Sequence, residues 1–277
     1  MVTLFRFLSH WPLGALHVLG AMLGWLTYWA SPTYRKRVRA NSAQAGVAFE
    51  RARGCVAHAG RMVAEIPRLW LGRPVPMSFE GEAILDAVYG SGKGVIFLTP
   101  HLGCFESTAQ LLAERKSPHY GPLTVLYRPP RQAWLQQFTE ASRKRPGLET
   151  APTTLPGVRQ MIKALRQGRA VGLLPDQVPP DGQGIWSEAF GKPAYTMTLA
   201  ARLALQTGAA LVPLWGERLS GGRGFVVHVC PPLALPAETS LEEAVLRINR
   251  AMEEAILSCP DQYLWGYGRY KQPRPNA

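Results

Sequence analysis

The pattern of apolar and polar positions sets residues 11–30 apart from the rest of the chain, because this segment contains no Asp, Glu, Lys or Arg. A helix of that length measures about 30 Å, the thickness of a bilayer's hydrocarbon core. Four cations follow within residues 35–39, against a single arginine upstream. This asymmetry predicts a membrane helix, either a full span or an interfacial anchor, with the rest of the chain on the cytoplasmic side. A buried helix containing His17 is the alternative, and a secretory signal is disfavoured because the cations follow the apolar core.

Helical periodicity continues beyond this segment. Apolar residues recur at intervals of three and four over residues 41–75, and prolines at 74 and 76 end the pattern. A capping-box pattern at residues 240–243 predicts an amphipathic helix that continues to residue 257. We therefore divide the chain into an anchor segment, residues 1–34, and a single domain, residues 35–277, with a helical lead-in at residues 35–80.

Short apolar runs alternate with helix-like patterns from residue 80 onward. The predicted strands are residues 94–98, 123–127, 170–174, 210–215 and 225–230, and the predicted helices are residues 107–115, 132–143, 155–167 and 197–206. Repeated strand–helix–strand units predict an α/β fold with a largely parallel central sheet flanked by helices. Ligands of such sheets bind beyond the carboxyl ends of the strands. The ends at residues 100–101, 127–128 and 175–176 are therefore the candidate site.

Composition limits the classes of partner that the chain can bind and the kinds of cysteine site that it can contain. Lys and Arg total 31 against 19 Asp and Glu, so the net charge is +12, yet charged residues make up only 18% of the chain. This balance predicts anionic partners. Nucleic acid is not favoured, since no recognition motif accompanies the charge. The four cysteines have no paired spacing, which disfavours a disulfide scaffold, a zinc ribbon and an iron–sulfur site and predicts a reducing compartment.

The first strand end carries the most suggestive chemistry. His101 is suited to general base catalysis near neutral pH, and a carboxylate would orient its second ring nitrogen. Glu106 can meet His101 only if the histidine lies in the turn before a helix and the glutamate lies in its first turns. Such a helix start would also offer backbone N–H groups to an oxyanion. The alternative is a structural histidine beside a carboxylate.

The other strand ends and the C-terminal tail leave more alternatives open. Arg128 could clamp a phosphate or a carboxylate, or be a solvated cation. Asp176 could orient a substrate group, pair with Arg128, or serve as an ordinary turn residue. The tail at residues 261–271 is rich in aromatics and cations, so it either packs the fold shut or contacts the membrane or the substrate.

Several chemistries are disfavoured by missing motifs. The sequence lacks the G-x-S-x-G elbow of serine hydrolases and the glycine fingerprints of nucleotide-binding folds. Cys104 has no neighbouring cation that would activate it, and the segment around His101 supplies too few ligands for a metal. We therefore predict no cofactor and no metal. A histidine–carboxylate pair suits deprotonation of a hydroxyl that attacks an activated acyl group.

The ordered blocks of the sequence resemble a known family. Residues 101–106 (HLGCFE) are similar to the His-x4-acid signature of the lysophospholipid acyltransferase superfamily. Residues 127–129 (YRP), 175–177 (PDQ), 190–194 (FGKPA) and 262–265 (QYLW) narrow the resemblance to the late acyltransferases of lipid A biosynthesis. The similarity covers essentially the whole chain. The carboxylate is Glu where the broader superfamily has Asp, and the superfamily's Pro-Glu-Gly-Thr-Arg phosphate block is replaced by residues 175–177.

This resemblance implies a role for each candidate residue. His101 would be the base, with Glu106 as its partner, and would deprotonate an acceptor hydroxyl that attacks the thioester of an acyl carrier protein. Gly103, Arg128, Asp176 and Gln177 would form the acceptor or phosphate site. The partners would be acyl carrier protein, an anionic lipid acceptor and the membrane. The location would be the bacterial inner membrane, with the catalytic domain on the cytoplasmic face.

Three alternatives remain open at this stage. The acceptor could be another lipid, such as a lysophospholipid or a lyso-ornithine lipid, and the donor could be acyl-CoA. The protein could also be a membrane lipid-binding protein that has lost catalysis. Acyl-chain length depends on the depth of an apolar cavity, which residue spacing does not measure.

Overall fold

A computed structural model describes residues 2–127 and 145–274, and it contains a seven-stranded sheet and a separate hairpin. The strands are β1 (Met77–Glu80), β2 (Val95–Leu98), β3 (Leu123–Tyr127), β4 (Leu148–Pro152), β5 (Ala170–Leu173), β6 (Gly184–Ala189), β7 (Lys192–Met197), β8 (Ala210–Arg218) and β9 (Phe225–Val229). The sheet has the order β1-β9-β8-β2-β5-β3-β4, and β6 pairs with β7 outside it. All neighbouring strands of the sheet run parallel except β8 and β9. The predicted α/β class with a largely parallel sheet is therefore confirmed.

Twelve α-helices within the described residues surround the sheet. They are α1 (Val2–Ser9), α2 (Leu13–Ala30), α3 (Pro32–Gln44), α4 (Phe49–Ala52), α5 (Gly54–Ala64), α6 (Ile66–Leu71), α7 (Glu82–Gly90), α8 (Phe105–Arg115), α9 (Ser117–Tyr120), α10 (Leu155–Arg166), α11 (Leu199–Thr207) and α12 (Leu241–Ser258). The capping box predicted for α12 forms, since the Ser240 hydroxyl accepts a hydrogen bond from the Glu243 N–H.

The core lies on both faces of the sheet because consecutive side chains of β2 point in opposite directions. Ile96 and Leu98 pack in one cluster, which also contains residues of α10, α11 and α12. Val95 and Phe97 pack in the other, with residues of α7 and α8. All four of these side chains are buried, as expected for a central strand of a covered parallel sheet.

The predicted helix within residues 11–30 forms as α2, and it packs on α5 through glycines. A Cβ on Gly20 would lie 2.7 Å from the Arg61 Cα, and one on Gly24 would overlap the Val56 carbonyl oxygen. A Cβ on Gly60 would overlap the Gly20 carbonyl oxygen. The backbones of the two helices therefore touch, as in the close helix pairs that small residues permit. Within the described residues α2 is also the one helix long and apolar enough to cross a membrane, with a mean hydropathy of 1.2.

The remaining element predictions differ from the structure in identifiable ways. The helical region 41–75 contains the end of α3 and three short helices, α4, α5 and α6, rather than one continuous helix. Sequence reasoning did not predict α7, β1, β4 or the hairpin β6–β7. The predicted helix at residues 132–143 lies outside the described residues.

Candidate active site

The candidate site lies at the carboxyl edge of the sheet, where β2 and β5 are adjacent and parallel. His101 follows the end of β2 by three residues, and Asp176 follows the end of β5 by three residues. Equal offsets after paired strands bring the two side chains together. Two of the three strand ends that the sequence indicated therefore meet. Arg128, at the third, lies outside the described residues.

His101 is held by hydrogen bonds on both of its ring nitrogens. Its Nδ1 lies 2.7 Å from the Asp176 Oδ1, and its backbone N–H donates to the Asp176 Oδ2 over 2.9 Å. The Gln177 side-chain amide lies 3.1 Å from the imidazole Nε2. Because an ionised carboxylate only accepts hydrogen bonds, Nδ1 carries the ring proton and Nε2 presents its lone pair. This tautomer is the one that a general base requires.

The surroundings of Asp176 keep its carboxylate ionised. Burial alone would raise the Asp176 pKa, but the electrostatic interaction with His101 and the two hydrogen bonds from His101 lower it below its ordinary value. Tyr263 lies close to this carboxylate. Burial, followed by the proximity of Asp176, raises the Tyr263 pKa well above its ordinary value. Tyr263 therefore stays protonated beside Asp176.

The turn that carries His101 is fastened by backbone contacts with β8 and the C-terminal tail. The Leu264 N–H donates to the His101 carbonyl over 3.2 Å, and the Gly103 N–H donates to the Gln262 carbonyl over 3.1 Å. Gly103 has φ +57°, and a Cβ there would overlap the Gly216 carbonyl oxygen of β8. Gly103 therefore contributes a backbone conformation and a close approach, which only glycine combines. The tail takes the packing role that the sequence left as one of two alternatives.

A buried ionic network lies beneath this turn. The Arg218 Nη2 donates to the Gly103 carbonyl over 2.9 Å, and its Nε and Nη2 contact the Glu65 carboxylate at 2.7 and 2.6 Å. The His17 Nε2 of helix α2 lies 2.9 Å from the same carboxylate. Both side chains of the Arg218–Glu65 pair are 1% exposed. Burial alone would raise the Glu65 pKa, but the charge and hydrogen bonds of Arg218 lower it to about 2.

Glu106 lies in the first turn of α8, as the sequence analysis required, and borders an apolar cavity of about 90 Å³. Its Oε2 accepts a hydrogen bond from the Trp70 indole over 3.4 Å. Other residues that line the cavity come from five strands and α8, among them Phe97, Phe105, Ala109, Leu112, Leu123, Val125, Leu148, Gly172, Leu173 and Leu214. The hydrogen bonds that the structure describes on the His101 ring go to Asp176 and Gln177. The pairing of His101 with Glu106 therefore stays a prediction.

Sequence reasoning missed the residues that support this site from a distance. Tyr263 lies in a tail block that the resemblance singled out, so the sequence carried a signal for it. No local pattern links Glu65 to Arg218, which is 153 residues away. In the described parts of the chain no group of three or more His, Cys, Asp or Glu residues could hold a metal ion.

Comparison with known proteins identifies the family of the chain. The model of the family described as "Bacterial lipid A biosynthesis acyltransferase" matches residues 5–272. A lipid A biosynthesis lauroyltransferase of Escherichia coli K12 is 29% identical over 182 residues, 64% of this chain and 55% of the relative. A phosphatidylinositol mannoside acyltransferase of Mycobacterium tuberculosis is 30% identical over 168 residues, 59% of this chain and 50% of the relative. The matched part thus spans about half the length of these curated relatives. With the family match covering nearly all of its residues, the chain belongs to the bacterial lipid A biosynthesis acyltransferase family.

Proposed function

We propose that this protein transfers a fatty acyl chain from a thioester to a hydroxyl group of a lipid A precursor. The observation that carries the proposal is the hydrogen-bonded His101–Asp176 pair at the carboxyl edge of β2 and β5. An apolar cavity adjoins the same edge, and Thr99 and Phe105, which flank His101, line it. A base beside an apolar cavity is what O-acyl transfer from a long-chain donor requires.

In the proposed reaction His101 accepts and then returns one proton. Its Nε2 takes the proton of the acceptor hydroxyl while that oxygen attacks the thioester carbonyl carbon. The imidazolium that forms is stabilised by the ionised Asp176 at Nδ1. When the tetrahedral intermediate collapses, the carbon–sulfur bond breaks and the proton goes to the leaving thiolate. The products are an oxygen ester and a free thiol.

Gln177 has a defined place in this sequence of steps. In the structure the Gln177 side-chain amide is hydrogen-bonded to the His101 Nε2. The acceptor hydroxyl therefore replaces this hydrogen bond when it binds, and Gln177 becomes available to contact the acceptor. This supports the substrate-binding role predicted for Gln177.

Two features near His101 would stabilise charge and hold the acyl chain. Helix α8 begins four residues after His101, and the first N–H groups of a helix have no partner within it. These groups suit the oxyanion of the tetrahedral intermediate. The cavity behind them is lined by Ala109, Leu112 and Val125, among others, and suits hydrocarbon. Glu106 at its border would position the donor or the acceptor and, as the resemblance implies, assist His101.

The charge of the chain supports the proposed donor and location. Acyl carrier protein is acidic, lipid A precursors carry phosphates, and the cytoplasmic leaflet is anionic, so a protein of net charge +12 attracts all three. We therefore propose acyl carrier protein as the acyl donor. We propose the cytoplasmic face of the bacterial inner membrane as the location.

The direct test is transfer of a labelled acyl chain from acyl carrier protein to a lipid A precursor by the purified full chain. His101→Ala should lower kcat by about 10²–10⁴, the range for removing a general base. His119→Ala, which changes an exposed histidine of α9, serves as the matched control and should keep full activity. Unchanged turnover by His101→Ala would remove His101 from the mechanism.

A second acceptor class is favoured by one specific observation, the 30% identity to an acyltransferase of phosphatidylinositol mannoside. The same assay should therefore include an anionic glycolipid and a lysophospholipid as acceptors, and acyl-CoA as donor. Product with only one of these would reassign the substrate while keeping the chemistry. Lipid binding without transfer to any acceptor would favour a non-catalytic lipid-binding protein.

A further inference from the structure

We propose that helix α2 lies in the plane of the membrane surface, with one face on the catalytic domain and the opposite face in anionic lipid, and does not cross the bilayer. This inference concerns how the chain contacts the membrane and does not depend on the proposed reaction. It rests on the two faces of α2, on the charged groups that pack beside it, and on the distribution of exposed apolar side chains.

The two faces of α2 differ in solvent exposure, although both are mainly apolar. The side chains of Val18, Met22, Leu26 and Trp29 are 60–66% exposed. At 100° per residue they fall within about 80° of the helix circumference. The buried residues, which include Leu16, Gly20 and Gly24, occupy the opposite side. Only one face of α2 is therefore available to lipid.

The buried face contacts the domain along nearly the whole helix. Near its N-terminal end Leu13 packs in a cluster with Phe225 of β9. Near its C-terminal end the Tyr28 ring stacks on Phe49, with 5.9 Å between ring centroids. Between them His17 contacts the buried Glu65 carboxylate. A helix held at both ends and in the middle cannot separate from the domain without breaking this core.

A membrane-spanning α2 would carry charged groups of the domain into the hydrocarbon. Helix α5 lies directly against α2, and the Arg61 guanidinium donates to the His17 carbonyl over 3.3 Å. The Glu65 carboxylate, which pairs with Arg218, contacts the His17 side chain of α2. Charged side chains at the bilayer centre are strongly unfavourable. An in-plane helix keeps all of these groups on the aqueous side.

Exposed apolar side chains are concentrated in α1 and α2, the helices that an in-plane orientation would place against lipid. Of the thirteen large apolar residues that are exposed in the described chain, seven lie in α1 and α2, including Leu4 and Phe7. The exposed cations Lys36, Arg37 and Arg39 lie in α3, which begins directly after α2. An apolar face next to a basic cluster matches the interface of an anionic leaflet, where hydrocarbon and phosphate lie within a few ångströms of each other.

The sides of the membrane reached by the two ends of α2 distinguish the alternatives. Thr3→Cys in α1 and Ala43→Cys in α3 introduce exposed thiols before and after the helix. Both are made in a background in which Cys230 and Cys259 are replaced by serine, and each is treated with a membrane-impermeant maleimide in spheroplasts and in inside-out vesicles. An in-plane helix exposes both thiols on the same side. Labelling of the two positions from opposite sides would overturn the proposal.

Binding of the purified chain to vesicles tests the lipid-facing surface directly. Met22→Asp with Leu26→Asp should weaken binding to phosphatidylglycerol-containing vesicles by about tenfold or more, because two apolar contacts with lipid are lost. Leu205→Asp with Leu257→Asp changes two exposed leucines elsewhere, so it is the matched control and should bind like the wild type. Equal weakening by both pairs, or an unaffected Met22/Leu26 variant, would overturn the proposal. Circular dichroism verifies that each variant is folded.

Discussion

Replacement of Glu65 by glutamine should destabilise the protein strongly at neutral pH. The Glu65 carboxylate is fully buried and contacts the Arg218 Nε and Nη2 and the His17 Nε2 within 2.9 Å. Without the negative charge, the Arg218 guanidinium remains buried without a counter-ion. Breaking a buried ion pair in this way costs about 3–5 kcal/mol.

The pKa of Glu65 gives a second estimate of the same quantity. Its ordinary value of 4.5 is lowered to about 2 in the folded protein. This difference corresponds to roughly 3 kcal/mol of folding free energy at neutral pH, in agreement with the first estimate. Because the folded-state pKa is the lower one, this contribution is fully present above pH 4.5 and is lost as the pH falls toward 2. Roughly 2 kcal/mol of it should be gone at pH 3.

Denaturant unfolding of the wild type and Glu65→Gln at pH 7 and pH 3 measures both effects. The difference in unfolding free energy between the two proteins should be about 3 kcal/mol at pH 7 and about 1 kcal/mol at pH 3. Comparing the proteins at each pH removes the titration of all other groups. Glu50→Gln, an exposed position on α4, should change stability by less than about 0.5 kcal/mol at either pH. A difference that does not change with pH would refute this account of the ion pair.

Three further predictions concern the site itself. Asp176→Asn should lower kcat by about 10³–10⁴ with the fold retained, because an amide N–H facing the His101 Nδ1 moves the ring proton to Nε2. Acyl-transfer rates measured across pH test this prediction. Turnover by the variant at the wild-type rate would contradict it. Gly103→Ala should cost more than about 3 kcal/mol in denaturant unfolding, because its Cβ would overlap the Gly216 carbonyl. Gly191→Ala, at a similar positive φ but with open space around the new Cβ, should cost only about 1–2 kcal/mol, and equal costs would refute the steric argument. Ala109→Leu should fill part of the cavity and shift the products toward shorter acyl chains, which mass spectrometry of the lipid detects; an unchanged product profile would exclude the cavity as the acyl site.

The buried strands were the part of the fold that local sequence most clearly predicted. The predicted strand at residues 123–127 matches β3, and the apolar run at residues 94–98 contains all of β2. These strands are covered on both faces, so nearly every side chain must be apolar. Strand β4 reads Leu-Glu-Thr-Ala-Pro, and the hairpin β6–β7 also mixes polar residues, glycine and proline. Their positions depend on neighbours in space, which a local pattern does not contain.

The site was predictable as a set of strand ends but not as a set of contacts. His101 and Asp176 were both indicated because each follows a short apolar run. Their pairing follows from β5 lying beside β2, and this strand order is a property of the whole sheet. The five-residue spacing drew attention to Glu106 because it was visible in the sequence, whereas the 75-residue separation of the observed pair was not.

The hydrogen bonds between the C-terminal tail and the His101 turn determine when the site can form during synthesis of the protein. Residues 262–264 supply backbone partners to Gly103 and His101, and the Asn41 side chain bonds the carbonyls of Trp265 and Tyr267 more than 220 residues away. Contacts between such distant parts of a chain form late in folding. A nascent chain on the ribosome therefore lacks an assembled site until these residues have emerged. An N-terminal helix that reaches the membrane earlier would bring the chain to its lipid before the site can act.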